Sequence, residues 1–142
     1  MATTEHPRRA TLVDANVLLD LLTDDATWAP WSTQALLTAA GEGPLVINPV
    51  VFAEASANFG TAEEADRLMP ERLFAREPIP WAAAFLAGQA HARYRRRGGR
   101  RAATLPDFFI GAHAAVAGHR LLTRDATRFA ASFPTLEIIA PA

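Results

Sequence analysis

The fold is decided by the stretch TLVDANVLLDLL at residues 11–22. A short apolar run leads into Asp14, and a second apolar run follows Ala15 and Asn16. This pattern predicts a short buried strand followed directly by a helix, with a carboxylate at the carboxyl end of the strand. A buried strand that ends on an acid requires an explanation, because a carboxylate is costly to bury without a partner.

Short apolar strands and helices alternate along the rest of the chain. Strands are predicted at PLVIN, RLLT and LEIIA, and FAREPIP is expected to be extended because Pro78 and Pro80 exclude a helix there. Between them, helices are predicted at WAPWSTQALLTAAGEG, PVVFAEASANF, TAEEADRLM, PWAAAFLAGQAHARYRRR, PDFFIGAHAAVAG and, more briefly, DATRFAASF. Strands separated by helices indicate a parallel sheet with helices on its faces, an α/β sandwich.

The composition fits one compact domain that spans residues 1–142, since half of the residues are hydrophobic and no linker or repeat divides the chain. No apolar run has the length of a signal peptide or a membrane span, so we expect a soluble, cytoplasmic protein without a membrane association. The absence of cysteine excludes disulfides, thiolate nucleophiles and cysteine-based metal sites. All 14 basic residues are arginine, which excludes chemistry that requires a lysine.

Four acids stand out by their positions: Asp14, Glu54, Asp107 and Asp125. Asp14 and Asp125 follow predicted strands whose carboxyl ends meet at one edge of a parallel sheet, where ligands bind in such folds. Asp107 lies in the first turn of the helix that leads into the RLLT strand, and Glu54 lies one turn into the helix after PLVIN. Each acid also has a simpler explanation, as a helix cap, a charge that favours the helix dipole or a solvated side chain.

Convergence of these carboxylates favours a bound metal ion. Carboxylates in a small space repel one another, so each must be protonated or find a cation. A hard divalent ion with oxygen ligands, Mg²⁺ or Mn²⁺, is the natural partner and suits phosphodiester hydrolysis. Zinc has little support because the histidines lack the spacing of a helical ligand pair, and we expect structural or surface roles for them. These histidines are His6, His91, His113 and His119.

Four motifs stand in a characteristic order: VDANVLLD, an isolated acid in the helix after the second strand, LPDFFIGAHA and LLTRD. The chain closely resembles the PIN-domain ribonucleases over residues 11–139, in particular the VapC-type toxins of bacterial toxin–antitoxin pairs. The resemblance implies a three-layer α/β/α sandwich with a mostly parallel central sheet. It also implies an endoribonuclease that depends on Mg²⁺ or Mn²⁺ and hydrolyses RNA phosphodiester bonds.

The resemblance further implies roles for particular residues. A water between the metal and the scissile phosphate would be the nucleophile, and Asn16 and Thr123 would support the site by hydrogen bonds. The implied partners are an RNA substrate, a second copy of the chain in a homodimer, and a cognate antitoxin that blocks the site, often with an inserted arginine. The metal-binding, catalytic acids would be Asp14, Glu54, Asp107 and Asp125.

The stretch ARYRRRGGRR at residues 92–101 concentrates positive charge. A helix C-terminus favours cations, but six arginines exceed that need. Guanidinium groups bind phosphate bidentately and stack on bases, so the stretch predicts an RNA-binding surface, with a solvated or partner-facing surface as the alternative. The arginines are Arg93, Arg95, Arg96, Arg97, Arg100 and Arg101.

Other readings of the motifs fit less well. A haloacid-dehalogenase-like phosphotransferase requires D-x-D after the first strand and a lysine, a response-regulator receiver also requires a lysine, and a dinucleotide-binding fold requires G-x-G-x-x-G where D-A-N stands. A PIN-fold module that binds RNA or protein without cleaving it stays open. Gly111 lies in the same predicted helix as the bulky pair Phe108 and Phe109, and it is expected to make room for phenylalanine packing, with a close approach of RNA as the alternative.

Overall fold

A computed structural model describes residues 9–98 and 103–142 of the chain. Within these residues the structure has five strands and seven helices, with one or two helices between successive strands, and the predicted elements are present. The strands are β1 (Thr11–Val13), β2 (Leu45–Ile47), β3 (Ala75–Arg76), β4 (Arg120–Leu122) and β5 (Ile138–Ile139). The helices are α1 (Ala15–Leu22), α2 (Ala29–Glu42), α3 (Pro49–Ser56), α4 (Ala62–Leu68), α5 (Trp81–Arg96), α6 (Leu105–Ala117) and α7 (Thr127–Ala130).

The five strands form one sheet in the order β3-β2-β1-β4-β5, and every pair in it is parallel. In the centre, Leu12 of β1 lies opposite Val46 on one side and Leu121 on the other. All three residues of β1 are fully buried, as expected for a strand covered by helices on both faces. This arrangement confirms the predicted α/β/α sandwich with a parallel central sheet.

The core has two parts. The larger one packs apolar residues of the sheet against α1, α3 and neighbouring helices. The smaller one joins α5 to α6, where the small side chains of Ala83, Ala87 and Ala90 let the helices approach closely around Phe108. The rings of His91 and Tyr94, near the end of α5, lie 5.1 and 5.4 Å from that of Phe108. The arginine-rich end of α5 therefore lies beside the first turns of α6.

Gly111 is where α6 meets the segment that contains α7. A Cβ added to Gly111 would lie 2.4 Å from Cε2 of Phe133 and 3.2 Å from Cδ1 of Phe129. The expectation of phenylalanine packing is thus confirmed, although the nearest rings belong to Phe133 and Phe129 rather than to Phe108 or Phe109. This close packing fixes α7 relative to α6, and both helices contribute to the site described below.

Across the described ranges, no helix combines the length and apolarity that a membrane crossing requires.

Candidate active site

Three of the four predicted acids meet around one arginine, Arg128 of α7. Its Nη2 lies 2.8 Å from Oδ2 of Asp14, and its Nη1 lies 2.6 Å from Oδ1 of Asp107. Its Nε lies 3.3 Å from Oδ2 of Asp125. The structure therefore brings together carboxylates from the end of β1, the first turn of α6 and the loop after β4.

Glu54, the fourth acid, lies at the edge of this group. Its side chain is exposed on α3, and no described residue donates a hydrogen bond or forms an ion pair to it. Loss of solvent around the carboxyl group raises the pKa of Glu54, the negative charges of Asp14 and Asp107 raise it further, and Arg128 lowers it. This mutual repulsion places Glu54 in the electrostatic field of the same pocket.

Asp14 is the most deeply buried of the four, with 2% of its surface exposed. Burial raises the pKa of Asp14, whereas Arg128 and a hydrogen bond from Thr123 lower it, and the charge of Asp107 raises it again. The net direction is upward. Ionisation of this carboxyl group in the folded protein therefore has an energetic cost, which a nearby cation reduces.

Thr123 and Asn16 connect the ends of β1 and β4. The hydroxyl of Thr123 donates to Oδ2 of Asp14 at 2.8 Å and accepts from the backbone N–H of Asp125 at 3.1 Å. Nδ2 of Asn16 lies 3.4 Å from the same hydroxyl, and Oδ1 of Asn16 accepts from the backbone N–H of Arg124 at 3.3 Å. These contacts hold the two acids in fixed relative positions.

Two further threonines hold the outer oxygens of the acids. Thr104 donates to Oδ2 of Asp107 from its backbone N–H at 2.8 Å, as part of a capping box at the start of α6. Thr127 donates to Oδ1 of Asp125 at 2.6 Å. Asp107 therefore serves the helix cap with one oxygen and the pocket with the other. The spacing T-x-x-D at 104–107 is the sequence signal that indicates this cap.

A buried ion pair anchors the loop that follows β4. Asp20 of α1, 2% exposed, accepts from the Ser32 hydroxyl at 2.6 Å and lies 2.9 Å from Nε of Arg124. The guanidinium of Arg124 also lies over the ring of Trp28, 5.1 Å from its centre. Asp20 closes the VDANVLLD motif, and sequence reasoning assigned it no role. Its contacts fix the loop between Thr123 and Asp125.

The atoms that the pocket offers as ligands suit a divalent cation. Three carboxylates already share one guanidinium at distances of 2.6–3.3 Å, and they supply oxygen ligands alone. Such hard oxygen donors are those that Mg²⁺ and Mn²⁺ prefer. The excess of negative over positive charge within the pocket also favours a second positive charge there.

A second group of titratable side chains lies apart from the acids. One ligand atom each of Glu77, His113 and His119 lies within 4.8 Å of the others, a grouping that could hold a metal ion. His113 is buried, and Glu77 Oε1 lies 3.1 Å from its Nε2 and 2.8 Å from Nε2 of His119. Burial lowers the pKa of His113, which favours its neutral form.

The hydrogen bonds around His113 determine which ring nitrogen carries its proton. Oδ1 of Asn48 accepts from the backbone N–H of Val51, so Nδ2 of Asn48 faces Nδ1 of His113, at 3.1 Å, as a donor. Nδ1 is then the acceptor, and Nε2 carries the hydrogen that it donates to Glu77. A metal on Nε2 would require that proton to move to Nδ1 and face another donor. The observed hydrogen bonds thus favour a structural role for this group.

The arginine-rich stretch is described in part, since Arg100, Arg101 and also His6 lie outside the described residues. Arg93, Arg95 and Arg96 form the last turn of α5, and Arg97 follows it. Arg93 and Arg97 line a cavity of about 220 Å³, whose other walls are Ala90 and the segment after α7. That segment contributes Ala131, Ser132 and Pro134.

The PIN domain family matches residues 11–131, so the chain belongs to the PIN family. Similar solved structures include VapBC2 from Rickettsia felis bound to a promoter DNA fragment (15% identity, 94% of this chain, 99% of that chain, TM-score 0.71). They also include VapBC-1 from nontypeable Haemophilus influenzae (14% identity, 92% of this chain, 97% of that chain, TM-score 0.71). A toxin–antitoxin complex from Klebsiella pneumoniae is similar as well (22% identity, 93% of this chain, 98% of that chain, TM-score 0.63). No curated protein matches the sequence. The structural likeness establishes the fold.

Proposed function

We propose that this PIN-domain protein is a metal-dependent endoribonuclease that acts as the toxin of a VapC-type toxin–antitoxin pair. The observation that carries the proposal is the meeting of Asp14, Asp107 and Asp125 around a single cation at the carboxyl edge of the parallel sheet, with Glu54 beside them. Membership of the PIN family, which comprises nucleases, supports a nuclease function.

In this proposal the four acids hold Mg²⁺ or Mn²⁺. When bound, the ion lowers the pKa of a water molecule and stabilises charge on the phosphate oxygens. Thr123 and Asn16 keep Asp14 and Asp125 in place, since Thr123 contacts both residues directly. The chain needs no side-chain nucleophile for this reaction, because water attacks the phosphorus.

The cavity between α5 and the segment after α7 is proposed to bind a phosphate of the RNA backbone. Arg93 and Arg97 are one helical turn apart, and no described residue pairs with either side chain. Ser132 stands on the opposite wall, one turn after Arg128 of the acidic pocket. Two guanidinium groups beside a hydroxyl suit an anion. We propose that RNA leading to the acids passes this cavity.

The double substitution Arg93→Gln/Arg97→Gln is expected to raise KM for RNA about tenfold with little change in kcat, because it removes charge-assisted hydrogen bonds to a remote phosphate. RNA affinity should also depend less on salt. The slope of log binding constant against log salt concentration should become shallower by about 0.7 for each lost phosphate contact. Arg95→Gln/Arg96→Gln removes the same charge from the same helical turn outside the cavity and is the control. Equal effects of the two double variants would contradict a specific phosphate site.

A protein partner is proposed from the similar structures and the surface. The solved complexes named above contain antitoxins, and we propose that this chain binds a cognate antitoxin and forms a homodimer in the cytoplasm. Trp81 and Phe85 of α5 are 92% and 71% exposed, and such adjacent exposed aromatic side chains are typical of a protein interface.

Incubation of total RNA with the purified protein tests the proposed activity. Discrete fragments are expected with Mg²⁺ or Mn²⁺ and none with EDTA, and sequencing of the fragment ends would identify the target. A protein that binds RNA or an antitoxin but never cleaves RNA, while calorimetry detects no Mn²⁺ binding, would instead be a non-catalytic PIN module.

A further inference from the structure

Arg128 takes the pocket-facing oxygens of the three converging acids. The outer oxygens of Asp107 and Asp125 are held by threonines, and their inner oxygens lie 2.6 and 3.3 Å from Arg128. Oδ2 of Asp14 is shared between Thr123 and Arg128. Each of the three acids thus has one oxygen committed to the same guanidinium.

The packing of α7 and the partial exposure of the Arg128 side chain define where the guanidinium lies. The side chain of Arg128 is 20% exposed, and it stands on α7, a helix of four residues that is packed against Gly111 through Phe129. The guanidinium lies 5.2 Å from the centre of the Phe129 ring. Because part of the side chain is exposed, Arg128 borders solvent as well as the acids.

We infer that Arg128 is an internal counter-cation that competes with the divalent ion for the carboxylates of Asp14, Asp107 and Asp125. The inference rests on the proposed metal-dependent function. A carboxylate lone pair that accepts a hydrogen bond from the guanidinium cannot at the same time coordinate a divalent ion, and the two positive charges repel each other. Metal binding therefore requires Arg128 to leave these oxygens, and the apparent metal affinity includes the cost of that departure.

The test compares Mn²⁺ binding by isothermal titration calorimetry in the wild type, Arg128→Gln and Arg67→Gln. If Arg128 competes, Arg128→Gln binds Mn²⁺ at least about fivefold more tightly than the wild type. The reason is that the carboxylates no longer have to lose their contacts with the arginine before they bind the metal. Arg67→Gln removes a guanidinium from the exposed last turn of α4, outside the pocket, and keeps the wild-type affinity.

Thermal unfolding gives a second readout that does not depend on cleavage. In EDTA, Arg128→Gln melts below the wild type because the acids lose their counter-cation, whereas added Mn²⁺ raises its Tm by more than it raises that of the wild type. Arg128→Lys keeps the positive charge but loses the forked set of guanidinium N–H donors that reaches several acids. Its Mn²⁺ affinity is therefore expected to lie between that of the wild type and that of Arg128→Gln. This variant preserves the test if Arg128→Gln does not fold.

The outcomes separate this inference from the proposed function. Equal or weaker Mn²⁺ binding by Arg128→Gln, with normal binding by the wild type, would overturn competition and leave the metal site intact. Absence of Mn²⁺ binding in all of the variants and the wild type would overturn the proposed metal-dependent function and this inference with it.

Discussion

Asp14→Asn is expected to lower the rate of RNA cleavage by about 10³-fold, because a metal centre contributes several kcal/mol to the stabilisation of the transition state. The amide keeps the shape of the carboxylate and can still accept from Thr123, which donates to Oδ2 of Asp14 at 2.8 Å. It carries no charge, however, and so binds a hard cation poorly. Initial rates of cleavage at saturating Mn²⁺ measure the effect.

The same substitution is expected to raise the Tm of the protein in EDTA at neutral pH. Burial raises the pKa of Asp14 above its ordinary value, so the folded state favours the protonated form more than the unfolded state does. The ionised side chain therefore opposes folding at pH values above its folded pKa, and this penalty disappears as pH falls through that pKa. A neutral amide avoids the penalty, at the cost of one ion pair to Arg128.

Asp24→Asn is the matched control for Asp14→Asn. Asp24 is exposed and lies outside the pocket, and its φ of 49° is one that asparagine adopts readily. The exchange of oxygen for nitrogen is the same, and we expect wild-type cleavage and Tm. Full activity in Asp14→Asn, or an equal loss in both variants, would show that the buried carboxylate does not bind the catalytic metal.

The order of strands and helices could be predicted because its signals are local. Apolar runs of three to five residues are too short for helices, and Pro49 and Pro106 lie where helices begin. Parallel pairing then follows, because each strand is separated from the next by helical segments. Asp14 and Asp125 meet at one edge of the sheet because β1 and β4 are parallel neighbours, and not because of any sequence near either residue.

Arg128 was missed because its contacts are not local. It lies 114 positions from Asp14 and 21 from Asp107, and no periodic pattern connects these residues. Its spacing of three from Asp125 was the one available signal, and such pairs are common on helix surfaces. The packing of the α7 segment against Gly111 determines where the guanidinium points, and that packing depends on the tertiary structure.

The grouping of Glu77 with two histidines escaped prediction for a related reason. A ligand pair was sought on one helix, whereas His113 and His119 stand on either side of Gly118, whose φ of 71° ends α6. Glu77 comes from the end of β3, 36 positions before His113. A helix-spacing rule cannot detect side chains that a turn and a separate strand bring together.

Gly111→Ala is expected to destabilise the protein by about 2 kcal/mol, although alanine is the better helix former by about 1 kcal/mol. The added Cβ would lie 2.4 and 2.6 Å from two carbons of the Phe133 ring, distances at which atoms must move. Phe133 is 4% exposed and packed between α5 and α6, so it has little room to do so. Urea-induced unfolding gives the change in free energy.

Gly88→Ala supplies a control of opposite sign. Gly88 lies inside α5, and nothing stands within 4 Å of its added Cβ, so alanine should stabilise the protein by about 0.5–1 kcal/mol. Phe133→Leu in the Gly111→Ala background makes space for the methyl group, and the double-mutant cycle should give a coupling energy of at least about 0.5 kcal/mol. Additive effects would mean that the ring of Phe133 does not oppose the methyl group.

Gly111→Ala also tests how the fold supports the pocket. The methyl group pushes Phe129 and Phe133 away from α6, and Arg128, next to Phe129, must shift with them. The variant should therefore change Mn²⁺ affinity in a protein that still folds, whereas Gly88→Ala should leave that affinity unchanged. An unchanged Mn²⁺ affinity in Gly111→Ala would show that α7 can move without loss of the contact between Arg128 and the acids. The position of the arginine would then depend on the carboxylates rather than on the packing of Phe129 and Phe133 against α6.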